Sequence, residues 1–572
     1  MKKVFNTGFF VLLSLFIAIC SCTGIKEQFN LQKVDDMPEI PSPYKMLDWY
    51  EKAKNFDDVV FNHTTDSSEK SFIWLDKAGR NFKQTTFGIY TVIDDVRQGP
   101  DVNNGEFHEA INSLGALLSA GLVGIDKTNQ HGFNYVKMIQ NYFNCDNGWN
   151  IMMNNTTAGV AMLGGGYGRD WWYDVFPNVL YYAVSDVFPC VERADSLQRI
   201  IAEQFYKADS VLHGNYDFSY FDYSRMEGKR NQIPYQQDAA AGHAWVLYSA
   251  WQKFGDKRYL NGAVSALDAL YSQKESRFYE VLMPFGAYTA ARLNAEEGTN
   301  YDISTLLSWT FDGCTAKDGR TGWGIINDRW GDYDVSGLQG NTIQDGGYGF
   351  LMNTFDMAWP LVSLVRYESR YAETIGKWML NTANAARLFY PYEIPDKNQW
   401  LPKEKAITRN VIAYEGLKKT DHYDKEELKG VSPVALGDGP NWIVGQPEIS
   451  MFSIYGSAHA GIFGSIIRET NVEKILQLNC LATDFYRNPA YPTYLYYNPY
   501  KEDRNIEYFN PDEPVDLYDA VSHQIVARQL TKQGFFILPA KKAMLIVAIP
   551  SGSKPERKGE KILVDSIIIA YQ

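Results

Sequence analysis

Helical periodicity recurs ten times between residues 107 and 479, and nothing else in the sequence limits the fold as strongly. Residues 195–212 show the usual form: Leu197, Ile200, Ile201, Phe205, Ala208, Val211 and Leu212 fall on one face, and Asp195 is placed to cap the start. The other segments lie near 107–121, 133–144, 172–186, 238–254, 258–272, 278–292, 345–370, 371–388 and 456–479. Three stretches (239–250, 357–365 and 457–467) are small or apolar on nearly every face, as a helix buried on all sides requires. So many helices without intervening strands exclude an α/β fold. Alternation of amphipathic and wholly buried helices is what a closed double ring needs, so the sequence predicts a mainly α domain built as a helical toroid.

The ends differ from this middle. Met1-Lys2-Lys3, an apolar run from Phe9 to Ile19 and then Cys20-Ser21-Cys22 follow the order of a secretory signal, too short to span a bilayer. Ser21 before Cys22 resembles a lipobox, which makes Cys22 the expected lipidation site and places the chain in the cell envelope, anchored to the outer membrane and facing the periplasm or the surface. An ordinary secretory signal cut nearby is the alternative. Residues 1–22 are thus read as signal, and 23–43, polar and aperiodic, as a tether. After Asn479 the period falls to two, in short runs such as His523-Gln-Ile-Val-Ala-Arg and Ala543-Met-Leu-Ile-Val-Ala-Ile. The expected organisation is a helical domain over 44–485 and an all-β sandwich over 486–572.

Charge excludes one class of partner. A formal net charge of −13 without a sustained basic run does not suit nucleic acid, and contact with a membrane is expected only through the lipid. Aromatic residues make up 15% of the chain, with 38 Tyr and 14 Trp. That excess suits a cleft in which rings stack on sugar faces, although packing between helical layers also consumes aromatics. Cys145, Cys190, Cys314 and Cys480 lack metal-ligand spacing; they read as buried hydrophobes, with one or two disulfides open to them.

The unusual residues sit in loops ahead of buried helices. The first cluster, Asn154 to Asp174, joins a Gly-rich stretch to Arg169, Asp170, Trp171 and Trp172, a cation, a carboxylate and two stacking faces; Asp170 as a plain helix cap is the simpler reading. The second places Asp238 at a helix start with His243 five residues on. The third, Phe311 to Gly349, holds Asp328, Arg329, Trp330, Asp332, Asp334 and Asp345; three of these aspartates at short odd spacings leave calcium open, but the stretch lacks the loop and terminal Glu of an EF-hand. A fourth, Asn441 to Glu448, leads to His459. No metal is otherwise expected.

Helix count, aspartates in aromatic loops at helix starts, a β-rich end and a lipoprotein-like leader together resemble the six-hairpin (α/α)6-toroid glycosidases and related polysaccharide lyases exported by Bacteroidetes. The resemblance is architectural, covers about residues 45–572, and transfers no catalytic assignment. It implies a carbohydrate substrate. Glycoside hydrolysis requires one carboxyl to protonate the leaving oxygen and a second to activate water or attack the anomeric carbon. The candidates are Asp170, Asp238 and Asp345, with Trp171, Trp172 and Trp330 as stacking faces and His243 and Asp328 as further sugar contacts. Arg169 or Arg329 is placed to hold a uronate. A lyase, using Asn154, Asn155 or His243, and a non-catalytic glycan-binding lipoprotein are the alternatives.

Overall fold

The computed structural model describes residues 27–62, 71–98, 110–154, 170–343, 346–419, 425–437, 439–442 and 445–572, with backbone alone at 441–442 and 510–512. Cys22, Asn155, Arg169 and Asp345 lie outside those residues.

Helices α1 (Gln32–Asp35) and α2 (Trp49–Val60) lead into α3 (Ala110–Leu122) and the single turn α4 (Tyr135–Met138). Then come α5 (Trp171–Val187), α6 (Ala194–Leu212), α7 (Ala239–Phe254), α8 (Lys257–Tyr271), α9 (Met283–Glu297) and α10 (Ile303–Phe311). α11 (Leu351–Leu364), α12 (Ala372–Ala386), the short α13 (Gly439–Trp442), α14 (Ile454–Ala458) and α15 (Gly461–Ile466) follow.

Helix α3 packs on α5, α5 on α7, α7 on α9, α9 on α11, and α11 on α14 and α15, which pack back on α3. The most buried helices therefore close a cycle. In α7 every residue from Ala239 to Ala250 is buried, whereas α6, flanking α7 from outside, leaves Ile200 and Val211 exposed. α8 backs α7, α10 backs α9 and α12 backs α11. Close approach explains the small residues: a Cβ on Gly115 of α3 would lie 2.0 Å from Nε2 of His459.

Helices α5, α7, α9 and α11 have their starts at one end of the body and their later turns at the other. Asp170 before α5, Glu280 just ahead of α9, Asn353 in the first turn of α11 and Asp238 before α7 meet at one mouth. At the opposite end, Asp484 accepts from Tyr288 (2.5 Å), Tyr367 (3.1 Å) and Arg366. Arg292 in α9 donates there to Phe485 O (2.9 Å), Tyr486 O (2.7 Å) and Glu296 (2.9 Å). This buried, hydrogen-bonded charge network ties the floor of the helical body to the segment between the strands Leu476–Asn479 and Thr493–Tyr497.

Several expectations need correction. Asp195 is not the cap of α6; Arg193, in the left-handed region at φ 68°, precedes Ala194, and Asp195 pairs instead with Lys253 at 2.6 Å. The helix expected over 456–479 stops at Ile466, and Ile467–Glu469 and Leu476–Asn479 are already strands. Strands also intervene among the helices, including a five-stranded antiparallel sheet in the order Val434–Leu436, Gly416–Lys418, Tyr348–Phe350, Gln339–Asn341, Trp323–Ile325. Members of only three residues are too short to leave a two-residue period in the sequence.

The β region is a six-stranded antiparallel sheet of Ile467–Glu469, Leu476–Asn479, Thr493–Tyr497, Ala543–Pro550, Arg504–Asp519 and Gln524–Leu538, packed partly on α12, with a separate three-stranded sheet over 556–571. Residues 27–43 are no free tether: Leu31, Val34 and Met37 are buried, and Glu39 accepts from Lys377 (3.0 Å), Lys541 (2.8 Å) and Tyr497 (2.7 Å). Although burial opposes ionisation, these three partners hold the Glu39 carboxyl down at about 2. The segment straps α12 to the β sheet. Cys145, Cys190, Cys314 and Cys480 are all free thiols.

Candidate active site

Asp170 occupies the N-cap position of α5, yet its side chain makes no capping bond. Its Oδ1 accepts from Gln236 Nε2 and lies 3.9 Å from Arg320 Nη2. The same Gln236 offers its Oε1 to the backbone N–H of Trp172 at 3.0 Å, so one amide ties the carboxyl to the helix start. Burial raises Asp170 to about 6, against the opposing pull of Arg320 and the Gln236 bond, with Asp174 adding to the rise.

The second carboxyl is Glu280, three residues before α9. It stands at φ 56°, a left-handed conformation that a glutamate adopts only when its surroundings fix it. They do so from three sides. Its carbonyl accepts from Gln339 Nε2 (3.0 Å) and Trp323 Nε1 (3.4 Å), both on the five-stranded sheet, and its Oε2 accepts from Asn353 Nδ2 (2.6 Å) on α11. Burial lifts its carboxyl to about 7; Asn353 and Tyr279 pull it down, Asp170 pushes it up and Arg320 pulls it down. Asp170 thus acts on Glu280, and both feel the same guanidinium, which sits over the Tyr279 ring at 4.7 Å.

Asp238 lies behind this pair. It does not cap α7; its Oδ2 accepts the Tyr279 backbone N–H at 2.9 Å, and its Oδ1 has no partner. Burial pushes its carboxyl to about 8. At neutral pH Asp238 is a protonated group that fixes the Tyr279–Glu280 turn, a positioning residue. One turn deeper in α11 than Asn353, Asp356 accepts from or donates to His459 Nδ1 at 2.7 Å; both residues are fully buried.

The remaining residues singled out from sequence are placed elsewhere. Trp171 is fully buried, stacked between Tyr216 (5.4 Å) and Phe221 (6.0 Å), so it is core and no sugar platform. Trp172 is also buried, against Tyr173 at 3.9 Å. His243 is enclosed by aromatic rings and bonded to Tyr223 OH at 2.8 Å; burial drops it to about 3, which keeps it neutral and structural. Asn154 holds the start of α3 by accepting from Ile111 N at 3.0 Å.

Asp328, Arg329 and Trp330 form a different cluster. Arg329 and Trp330 pair with Asp334 and Tyr333 as a two-residue hairpin, with Arg329 bridged to Asp334 at 3.0 Å. Trp330 is buried and donates to Asp328 at 2.9 Å, and Asp328 is paired with Lys419. In the structure Arg329 and Asp334 pair with each other, and Asp328 with Lys419. Among the described residues no group of three His, Cys, Asp or Glu side chains converges as a metal site would. A pocket of about 430 Å³ opens beside Gln237, lined also by Asn215, Asp217 and Arg277, but none of the raised carboxyls lines it.

No family model matches the sequence, and no curated protein matches it. Among solved structures, a GH127 β-L-arabinofuranosidase from Geobacillus stearothermophilus T6 is 8% identical, with a TM-score of 0.33, over 91% of this chain and 84% of that one. A GH127 β-arabinofuranosidase is 11% identical with a TM-score of 0.35, over 93% and 84%. A protein named only as a glycoside hydrolase is 10% identical with a TM-score of 0.32, over 80% and 76%. Likeness at these scores assigns neither family nor activity, and the functional reading rests on the residues.

Proposed function

We propose that this chain is a glycoside hydrolase in which Glu280 is the general acid and Asp170 the base or nucleophile. One observation carries the reading: two carboxyls, raised by burial to about 7 and about 6, share Arg320 at the mouth where inner-helix starts converge. Carboxyls with separated affinities at one site are the requirement of glycosidic cleavage. Near pH 6.5 Glu280 still holds a proton to give to the glycosidic oxygen. Asp170 is largely ionised, free to take a proton from water or to attack the anomeric carbon. The C–O bond to the leaving sugar breaks as that oxygen gains the Glu280 proton, and water supplies the new anomeric hydroxyl.

Elimination is less well served. A lyase needs a base at the sugar C–H; His243 and His459 lie in the core, and burial carries the Tyr279 hydroxyl far above its usual range. The (α/α)6 toroid, export and lipidation at Cys22 belong to the same reading, supported by the cyclic packing of the buried helices and by the leader sequence.

The test is incubation of the purified protein with a panel of polysaccharides and oligosaccharides in H₂¹⁸O, following reducing ends, label at the anomeric position and ultraviolet absorbance. Labelled reducing ends without absorbance are expected, and loss of them in Asp170→Asn. Cleavage that gives an unsaturated, unlabelled product overturns the hydrolase reading.

A further inference from the structure

Arg320 differs from the other enclosed arginines. Arg292 spends its donors on Glu296, Tyr288, Phe485 and Tyr486, Arg97 its on Asp95, and Arg366 its on Asp484 and Tyr367. The Arg320 guanidinium donates no hydrogen bond to any described residue. Its closest acid, Asp170, is at 3.9 Å, beyond hydrogen-bond range. Its Nε is buried without an acceptor, while the side chain as a whole is 26% exposed. The ring of Tyr279 supports the guanidinium plane from below.

A guanidinium presents a fork that matches a carboxylate through two parallel N–H bonds. The buried Nε is the one donor of this fork that solvent does not reach, and leaving it without an acceptor is unfavourable until a ligand completes it. The fork stands 3.9 Å from Asp170, where a negatively charged sugar would otherwise be repelled.

We propose that Arg320 is the specificity-determining residue of this site and takes the carboxylate of an acidic sugar, so that the substrates are glycosides of uronic acids. The proposal rests on the hydrolase reading for the place of binding, but it is tested without turnover. Titration calorimetry at low salt compares glucuronate and galacturonate with glucose and galactose on the wild-type protein, Arg320→Gln and Arg320→Lys, with melting temperatures recorded for each. At least one uronate is expected to bind about 10- to 100-fold more tightly than its neutral counterpart, the span of a charged bidentate contact. Arg320→Gln should bring that ratio to about one, and Arg320→Lys should retain part of it. No uronate binding, equal binding of charged and neutral sugars, or a ratio unchanged in Arg320→Gln each overturns the proposal. Equal loss of both sugars with a lowered melting temperature would make Arg320 structural and also overturn it. A uronate preference lost in Arg320→Gln, in a protein that cleaves nothing, upholds Arg320 and refutes the hydrolase reading alone.

Discussion

Replacing Glu280 by Gln separates proton donation from every other part of the site, because the amide keeps the size of the side chain and its bond with Asn353. The pH profile is set by two carboxyls. With Glu280 at about 7, about half of it is protonated at pH 7 and about a tenth at pH 8; with Asp170 at about 6, about half is ionised at pH 6 and about a tenth at pH 5. The wild-type kcat/KM should therefore peak near pH 6.5 and fall about tenfold per unit beyond about pH 7.5 and below about pH 5.5. Glu280→Gln should lower kcat by about 10²- to 10⁴-fold on a natural glycoside, the usual worth of a positioned acid. On an aryl glycoside with a nitrated phenol as leaving group, which departs without protonation, most of that loss should vanish together with the alkaline limb. Asp170→Asn should not be rescued in this way. The assay is release of the phenol against release of reducing sugar across pH 4–9. A loss below about tenfold on the natural glycoside, or an alkaline limb that persists in Glu280→Gln, refutes the assignment.

Three further outcomes follow from the surrounding structure. Asp238 titrates at about 8 when folded and near 3.8 when unfolded, so the unfolded chain sheds its proton first, and this group's share of stability is full below about pH 4 and is lost as pH rises towards 8. Asp238→Asn still accepts from Tyr279 and should narrow the difference in melting temperature between pH 5 and pH 8; an unchanged difference contradicts the buried, protonated state. Asp484→Ala strands the Arg366 charge at the floor of the helical body and should cost about 3–5 kcal/mol in urea denaturation, whereas a cost below about 1 kcal/mol would show that the network is not clamping the two regions. Arg329→Ala, which removes a half-exposed pair with Asp334 and exposed bonds to the carbonyls of Asp332 and Ser42, should leave kcat/KM within about twofold and cost less than about 1 kcal/mol; a large fall in activity would place the hairpin in the site.

How far the sequence reveals this arrangement depends on whether a signal is local. The buried helices are legible because a helix enclosed on all sides must be apolar all round, and α7 shows this residue by residue. Asp170 is legible as a carboxylate at a helix start in an unusual loop. Glu280 escapes because the helical period, extended over 278–292, absorbs it into a helix that begins only at Met283. Pro284 was the available signal, since proline favours the first turn and would have left Glu280 in the loop, where Asp170 and Asp238 also stand. Trp171 and Trp172 mislead for the opposite reason: adjacency to a carboxylate does not tell a ring that stacks on a ligand from one stacked on Tyr216. Arg329 and Trp330 cluster in sequence because a two-residue hairpin pairs them locally with Asp334 and Tyr333. Residues far apart in the chain, Gln236, Arg320, Gln339 and Asn353, become neighbours of the two carboxyls only through closure of the helical cycle.

If Asp170 and Glu280 act as one unit, a double-mutant cycle on a cleaved glycoside reveals it. Groups serving a single transition state are non-additive, so Asp170→Asn with Glu280→Gln should be no more than about tenfold slower than the worse single variant. Losses that multiply in the double variant, or activity retained in either single one, would contradict the account.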